Sequence, residues 1–338
     1  MKLKKILSIF LAITIIFSLA ACSAGNTQEN TSEQSTSAPA QKIDVNTYVL
    51  NGPTGIGAVH MMNDAENGEG SENYNFTVAA APDEVVAKIS NNEADIAAVS
   101  TNLASTLYNK TNGGVKILAV NTMGVLYVLT NKGDEIESLK DLKGRTIFTT
   151  GQGANPEYII NYLLSENGID PQKDVTIEYK AEGSELAGVW AQNPDAIIIA
   201  PQPVASTIAG KYEGSSLSLD LTDEWEKTAD GSELMMGCVV VRTQFLEEHP
   251  EAVEAFLSDY EKSINKVTED IEATATLCEK YAIVPAAAVA KAAIPHCNIC
   301  FVTGDEMKSK LTGYLEVLYK ANPKSIGGAM PGDDFWYE

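Results

Sequence analysis

The fold is decided by one stretch, LNGPTGIGAVHMM at residues 50–62, and the rest of the chain repeats its pattern. The stretch follows an apolar run that predicts a strand at 45–50, turns through Gly and Pro, and continues into a predicted helix at about 55–65. A helix that begins where a strand ends directs unpaired N–H groups and a partial positive charge at anything bound there. Several such joints facing one crevice predict a small-molecule site. Similar joints recur at residues 100–102, 149–156 and 200–202.

The composition limits the class of protein. With 338 residues the chain is long enough for two lobes of an α/β protein, and a hydrophobic fraction of 44% predicts a folded chain. The formal net charge is −22, from 46 acidic and 24 basic residues. Because such a surface repels phosphates, we expect no nucleic-acid partner and no electrostatic attraction to anionic lipid.

The N-terminal segment predicts export and anchoring. Three lysines precede an apolar run at 6–17, and small residues then lead to Cys22. The run is short for a membrane span, and small residues suit peptidase cleavage. The pattern resembles a bacterial lipobox, which implies a signal peptide at 1–21 and a lipid on Cys22; an ordinary signal peptide with a chance cysteine is the alternative. Residues 22–42 are polar, which predicts a flexible tether on the extracytoplasmic face of the membrane.

From residue 43 onward, predicted strands alternate with predicted helices. The run Asp95 to Val99 is short and almost wholly apolar, as is typical of a buried parallel strand. The alternation predicts an α/β fold of two Rossmann-like lobes, each a mostly parallel sheet with flanking helices, joined by a hinge around a central cleft. A polar turn and a returning strand set the expected boundaries, which are 43–131 and 238–338 for lobe 1 and 132–237 for lobe 2.

Four motifs in a fixed order carry a family resemblance. They are the loop at 51–58, Asp95-Ile-Ala-Ala-Val-Ser100, Leu139-Lys-Asp-Leu-Lys-Gly-Arg-Thr-Ile147, and Gly151-Gln-Gly-Ala-Asn-Pro156, with Pro201 opening a later helix. Together they are similar to the type II substrate-binding proteins of ABC importers, above all the sulfonate, nitrate and thiamine-precursor branch. The resemblance implies hinge closure on a small molecule, delivery to a permease with its own ATPase subunit, and a monomer.

Two motifs suggest other chemistry. The run Gly151 to Pro156 has a proline where a dinucleotide fingerprint needs its third glycine, and no acidic residue follows at the required distance. His296 and Cys297-Asn-Ile-Cys300 supply too few ligands for a strong zinc motif. Buried thiols or one disulfide are the favoured interpretation, and whether Cys297 and Cys300 are bonded stays open. We therefore expect no metal and no cofactor.

Two other functions remain as alternatives. A fungal pyrimidine synthase of thiamine biosynthesis shares this fold, but similarity to it would require a cysteine-rich iron-binding run and a histidine that supplies substrate atoms. Here the cysteines are sparse, and His60 has no oriented partner that the sequence can show. No catalytic residues are predicted, and the chain is not expected to be an enzyme. The second alternative is a lipoprotein that senses its ligand without transporting it.

The candidate ligand contacts lie mainly in the strand-end loops. Nearly all carry hydroxyls or amides and no loop contains Arg, which predicts a polar ligand of low charge held first by Thr54, Ser100, Thr101 and Asn155. Ser, Thr and Asn also cap helices, and Trp190 and Tyr158 can be core residues, so each position has a structural interpretation as well. The full set is Asn51, Thr54, Gly55, His60, Ser100, Thr101, Asn102, Thr150, Gln152, Gly153, Asn155, Trp190 and Gln202.

Overall fold

The computed structural model describes residues 41–79, 81–134, 136–229 and 231–337. The predicted signal peptide, Cys22 and nearly all of the predicted tether lie outside these ranges. The chain from Lys42 onward forms one compact unit. Within the described ranges, no helix is long and apolar enough to cross a membrane.

Strands and helices alternate along the described chain. The strands are β1 (Asp44–Leu50), β2 (Asn73–Ala79), β3 (Ile96–Ser100), β4 (Val115–Thr122), β5 (Leu126–Asn131), β6 (Thr146–Thr150), β7 (Thr176–Lys180), β8 (Ile197–Pro201), β9 (Ser215–Asp220), β10 (Gly237–Arg242) and β11 (Ile299–Val302). The α-helices are α1 (Pro53–Ile56), α2 (Val59–Glu66), α3 (Pro82–Ser90), α4 (Thr101–Thr111), α5 (Asn155–Glu166), α6 (Gly183–Gln192), α7 (Val204–Lys211), α8 (Leu221–Thr228), α9 (Thr243–Glu248), α10 (Pro250–Glu269), α11 (Ile271–Lys280), α12 (Ala287–Ala293) and α13 (Gly304–Ala321). Short 3-10 turns lie at Leu139–Leu142, Ile294–His296, Pro323–Ile326 and Asp333–Phe335.

The strands form two mixed sheets. The first has the order β11-β4-β10-β3-β1-β2, with β10 and β11 running against the other four strands. The second has the order β7-β6-β8-β5-β9, with β5 running against the rest. The reversed strands β5 and β10 are each the first strand that the chain forms after crossing from the other sheet. The predicted two-lobed α/β architecture is confirmed, and the sheets are mixed because these strands insert among parallel ones.

The structure corrects one predicted lobe boundary. The sequence places the strand at 126–131 in lobe 1, yet β5 pairs with β8 and β9 in the second sheet. The chain therefore crosses at residues 123–125, before the polar turn at 131–134. That turn stays in the second lobe, where the Lys132 N–H donates to the Gly214 carbonyl at 2.7 Å. The strand predicted at 238–241 corresponds to β10, which lies in the first sheet.

The helix predicted at 55–65 is split in two. The hydroxyl of Ser263, on α10, donates to the Gly57 carbonyl at 2.6 Å and accepts from the Met61 N–H at 3.0 Å. It thereby takes the place of the i to i+4 hydrogen bond that would join α1 to α2. The helix expected to open at Pro201 begins at Val204 instead, because Pro201 extends β8 and pairs with Leu126.

One hydrophobic cluster of the described residues includes strands of both sheets, and two further clusters are separate from it. Trp225 on α8 is fully buried between two tyrosines, with ring centroids 4.9 Å from Tyr162 on α5 and 5.3 Å from Tyr314 on α13. The cluster around it includes Val99 of β3 and Val128 of β5. Helix α13 contributes Tyr314 to this cluster and therefore packs on both lobes.

Candidate functional site

The first-lobe loops meet the chain where it crosses between the sheets, at residues 121–126, which we call the crossover segment. Asn121 donates its side-chain amide to the carbonyl of Thr54 at 3.1 Å. The Thr101 N–H donates to the Met236 carbonyl at 3.1 Å, in the segment that returns to the first sheet. The structure therefore brings the loops after β1 and β3 to the two connections between the lobes.

The second-lobe loops reach the same segment from the other side. The Gln202 N–H donates to the Val125 carbonyl at 3.0 Å. A Cβ added at Gly124 would lie 2.2 Å from the Thr222 hydroxyl, so Thr222 packs directly on the crossover backbone. Asn155 follows β6, which is the neighbour of β8 in the sheet. The ends of parallel neighbours lie at one edge of a sheet, so Asn155 and Gln202 belong to the same edge.

His60 uses its ring to hold the fold. It is 8% exposed, and its Nε2 lies 2.8 Å from the Thr274 hydroxyl on α11. Burial first, and then the charge of Lys266, lowers the pKa of His60 below its usual 6.5. The structure thus gives this histidine a role in joining α2 to α11.

The polar groups of the β3–α4 joint are also engaged. The Thr101 hydroxyl is fully buried and donates to the Met235 carbonyl at 2.6 Å. Asn102 accepts from the Ser100 hydroxyl at 2.7 Å and donates to the Ser325 carbonyl at 3.2 Å. Ser100 makes no side-chain cap bond to α4, because its hydroxyl donates to Asn102 instead. Thr101 and Asn102 are buried and Ser100 is half-buried, so the Ser100 hydroxyl oxygen is the most accessible acceptor of the three.

Asn155 and Gln202 differ from the residues of the β3–α4 joint, because their buried side-chain amides contain atoms without hydrogen-bond partners in the described chain. Asn155 is 4% exposed, and neither its Oδ1 nor its Nδ2 has a hydrogen-bond partner in the described part of the chain. Gln202 is 1% exposed; its Oε1 accepts from the Ser206 N–H at 3.2 Å, whereas its Nε2 has no partner among the described residues. An unpaired buried amide costs about 1–3 kcal/mol, so such groups call for a specific explanation.

The other candidates have simpler surroundings. Asn51 and Gln152 are exposed, and Thr54 and Thr150 are half-buried. Gly55 allows close packing, because a Cβ there would lie 2.3 Å from the Leu50 carbonyl.

Two more candidate positions have mainly structural roles. Gly153 has φ +75° and donates its N–H to the Glu157 carboxylate at 2.5 Å, while its carbonyl accepts from the Tyr158 hydroxyl at 3.2 Å. Trp190 is 2% exposed in a separate second-lobe core, so the structure makes its ring a core element.

Sequence reasoning missed two residues beside the crossover segment. The Thr222 hydroxyl is buried without a partner among the described residues. The Tyr127 hydroxyl donates to the His296 carbonyl at 3.0 Å, and burial followed by the charge of Asp220 raises the pKa of Tyr127. The Asp-x-Thr run at 220–222 was the available sequence pattern, because Asp220 caps α8 through the Thr222 N–H at 2.8 Å.

Both arginines of the chain form ion pairs away from the candidate site. The chain has two arginines, and each is ion-paired: Arg145 with Asp134, and Arg242 with Asp95 at 2.8 Å. The second pair lies where β3 begins and β10 ends, opposite to the edge from which the strand-end loops emerge. The site therefore has no guanidinium for a bidentate grip on an anion.

The cysteines do not form a metal cluster within the described ranges. Cys238, Cys278 and Cys297 are buried free thiols, and Cys300 is a half-buried one. The Cys297 thiol donates to the Ala293 carbonyl at 3.2 Å, and burial raises the pKa of Cys300 to about 12. No group of three or more His, Cys, Asp or Glu side chains suited to a metal occurs in the described chain.

A family model described as NMT1/THI5 like matches residues 75–273, more than half of the chain. The chain belongs to the NMT1/THI5-like family. No curated protein gives a significant match to it.

Solved structures share the fold of this NMT1/THI5-like chain. An ABC transporter protein from Parabacteroides distasonis is 22% identical, with a TM-score of 0.72 over 87% of this chain and 98% of that one. The periplasmic aliphatic sulphonate-binding protein SsuA from Escherichia coli is 13% identical, with a TM-score of 0.69 over 87% and 92%. A ligand-binding component of an ABC-type import system from Staphylococcus aureus, with zinc bound, is 15% identical, with a TM-score of 0.66 over 88% and 97%. Identities this low establish a common fold alone.

Proposed function

We propose that this chain is an extracytoplasmic solute-binding lipoprotein. It captures a small polar molecule between its lobes and delivers it, as a monomer, to an ABC permease served by a separate ATPase subunit. One observation carries the proposal: buried amides without partners, on Asn155 and Gln202, lie at one sheet edge beside the crossover segment. In a binding protein, the ligand supplies the partners that the free chain lacks.

The fold supports the same function. The sulphonate-binding and ABC-import proteins with this architecture are named as binding components, and the two connections between the sheets suit a hinge. We assign residues 43–122 and 237–337 to one lobe and residues 126–228 to the other, with the hinge at 123–125 and at the described residues 231–236. Thr54, Ser100, Thr150 and Gln152 are the proposed further contacts, since their side chains keep free hydrogen-bonding capacity at the loops.

The test combines scattering and melting. A panel of nutrients that includes uracil, nicotinamide, methanesulfonate and nitrate is added to the purified full-length chain in detergent. A bound solute at a hundredfold its Kd adds about 2.7 kcal/mol to the free energy of unfolding, which is readily seen as a melting shift. The same solute should reduce the X-ray scattering radius by closing the lobes. A melting shift without a smaller radius would remove hinge closure from the proposal.

The two alternatives predict different outcomes. A sensor leaves uptake of the bound solute unchanged when its gene is deleted, whereas loss of a transport component abolishes uptake. An enzyme returns the solute chemically altered after incubation, whereas a binding protein returns it intact. The described structure favours the latter, because His60 is engaged by Thr274 and the described cysteines are mostly buried thiols.

A further inference from the structure

The unpaired side-chain atoms of Asn155 and Gln202 determine which hydrogen-bonding groups a matching ligand must present. An Asn side chain presents one acceptor oxygen and two donor hydrogens side by side. On Asn155 both ends are without partners, whereas on Gln202 only the donor end is. The partner that satisfies Asn155 through both atoms must itself present a donor next to an acceptor, as a carboxamide or a ring lactam does. Asn is used in this bidentate way to read the donor–acceptor edge of adenine.

The charges around the site disfavour an anion. The strand-end loops and the crossover segment contain no Arg or Lys, and both arginines are paired elsewhere. The N-terminal turn of α5, which would otherwise attract an anion, already has the carboxylate of Glu157 on the Gly153 N–H. Asp220 and Asp223 add negative charge near Tyr127, which lies beside the crossover segment. Lys180, in register with Thr150 at the end of β7, is ion-paired with Glu178 at 3.1 Å. A sulfonate or nitrate would therefore meet carboxylates here together with a cation that is already paired.

We infer that the ligand is an uncharged molecule with an amide-type edge, whose adjacent donor and acceptor pair with Asn155 while an acceptor meets the Gln202 amide. The inference rests on the proposed function and narrows it. It separates this chain from the SsuA protein that shares its fold, which is named as a sulphonate-binding protein.

Two pairs of probes isolate the charge. Nicotinamide and nicotinate differ by a carboxamide against a carboxylate, and uracil and orotate differ by an added carboxylate. Methanesulfonate and nitrate are the anion controls. Titration calorimetry on the full-length chain should show at least tenfold tighter binding of the uncharged member in at least one pair. Asn155→Asp, which keeps the shape and loses the donor, should weaken that probe at least tenfold.

A second measurement needs no ligand. Because Asn155 carries two partnerless atoms in the free chain, Asn155→Leu should raise the melting temperature by about 2–5 °C. Asn121→Leu is the matched control and should lower it, since the buried Asn121 amide donates to Thr54 and Tyr260 at 3.1 and 2.8 Å.

Three results would overturn the inference. If Asn155→Leu lowers the melting temperature as Asn121→Leu does, water or protein already satisfies the amide. If an anion binds tightest and closes the lobes, the ligand class is wrong while the proposed function stands. If no probe, charged or uncharged, shifts the melting temperature at millimolar concentration, both the class and the binding function lose their support.

Discussion

The ion pair between Arg242 and Asp95 offers the sharpest test of how the first lobe is held together. The two side chains are 11% and 8% exposed, with Nη2 and Oδ1 at 2.8 Å. The other carboxylate oxygen of Asp95 accepts from the Asn46 N–H and from its side-chain amide, both at 3.0 Å. The pair thus ties β10 to β3 and, through Asn46, to β1. Arg242→Met removes the charge and keeps much of the apolar stem.

The expected cost follows from this geometry. Breaking a buried pair by removing one partner costs about 3–5 kcal/mol, because the remaining charge stays buried. Two features put this case near 3 kcal/mol: the pair keeps some exposure, and the Nε of Arg242 has no partner in the described chain. An unfolding entropy of about 2 cal/mol/K per residue gives roughly 0.6 kcal/mol/K for a folded unit of this size. The melting temperature should therefore fall by about 5 °C.

Calorimetry of Arg242→Met beside Arg145→Met measures this cost. Arg145 makes the same chemical pair with Asp134, but with 34% and 41% of the side chains exposed, so its loss should cost less than about 1 kcal/mol. Asp95→Asn, made in the parent chain and in Arg242→Met, completes a double-mutant cycle that isolates the coupling between Arg242 and Asp95. If the two Arg→Met variants have the same melting temperature, or if the coupling is below about 0.5 kcal/mol, burial does not strengthen the Arg242–Asp95 pair and the reasoning is refuted.

Three further predictions concern other parts of the chain. Gly124→Ala should destabilise the chain by about 1–3 kcal/mol, since the new Cβ would lie 2.2 Å from the Thr222 hydroxyl. Adding Thr222→Ala to this variant should partly restore the melting temperature. An unchanged melting temperature in Gly124→Ala alone would contradict the packing. Because the pKa of His60 is lowered from 6.5, its contribution to stability is present above pH 6.5 and lost as the pH falls through the folded pKa. Urea titrations at about pH 5 and 7.5 should show that the free energy of unfolding falls less with acidification in His60→Gln than in the parent chain. Equal losses in the two proteins would argue against a contribution from His60. Cys22→Ser, which lies outside the described residues, should release the protein from membranes if a lipid on that cysteine is the anchor, and retention after a high-salt wash would count against the lipobox.

Much of the fold could be predicted because its determinants are local. The apolar run at 96–99 is fully buried in β3, and Pro82 with two acids does open α3. The strand β9 was missed because only two of its six residues, SSLSLD, are apolar, and all six are half-buried. The placement of β5 was wrong because a polar turn shows where the chain bends, whereas the sheet that a strand joins depends on partners about 70–90 residues further along.

The sequence by itself determined the order of strands and helices, the loops in which polar side chains gather, and the scarcity of arginine. These properties depend on residue type and short spacing. Only the tertiary structure decided which of those side chains remain available to a ligand. His60 is engaged by Thr274 and Thr101 by Met235, while the amides of Asn155 and Gln202 keep partnerless atoms. The physical reason is that a hydrogen bond requires two groups within about 3 Å, and residues more than a hundred positions apart reach that distance only through the packing of the whole chain.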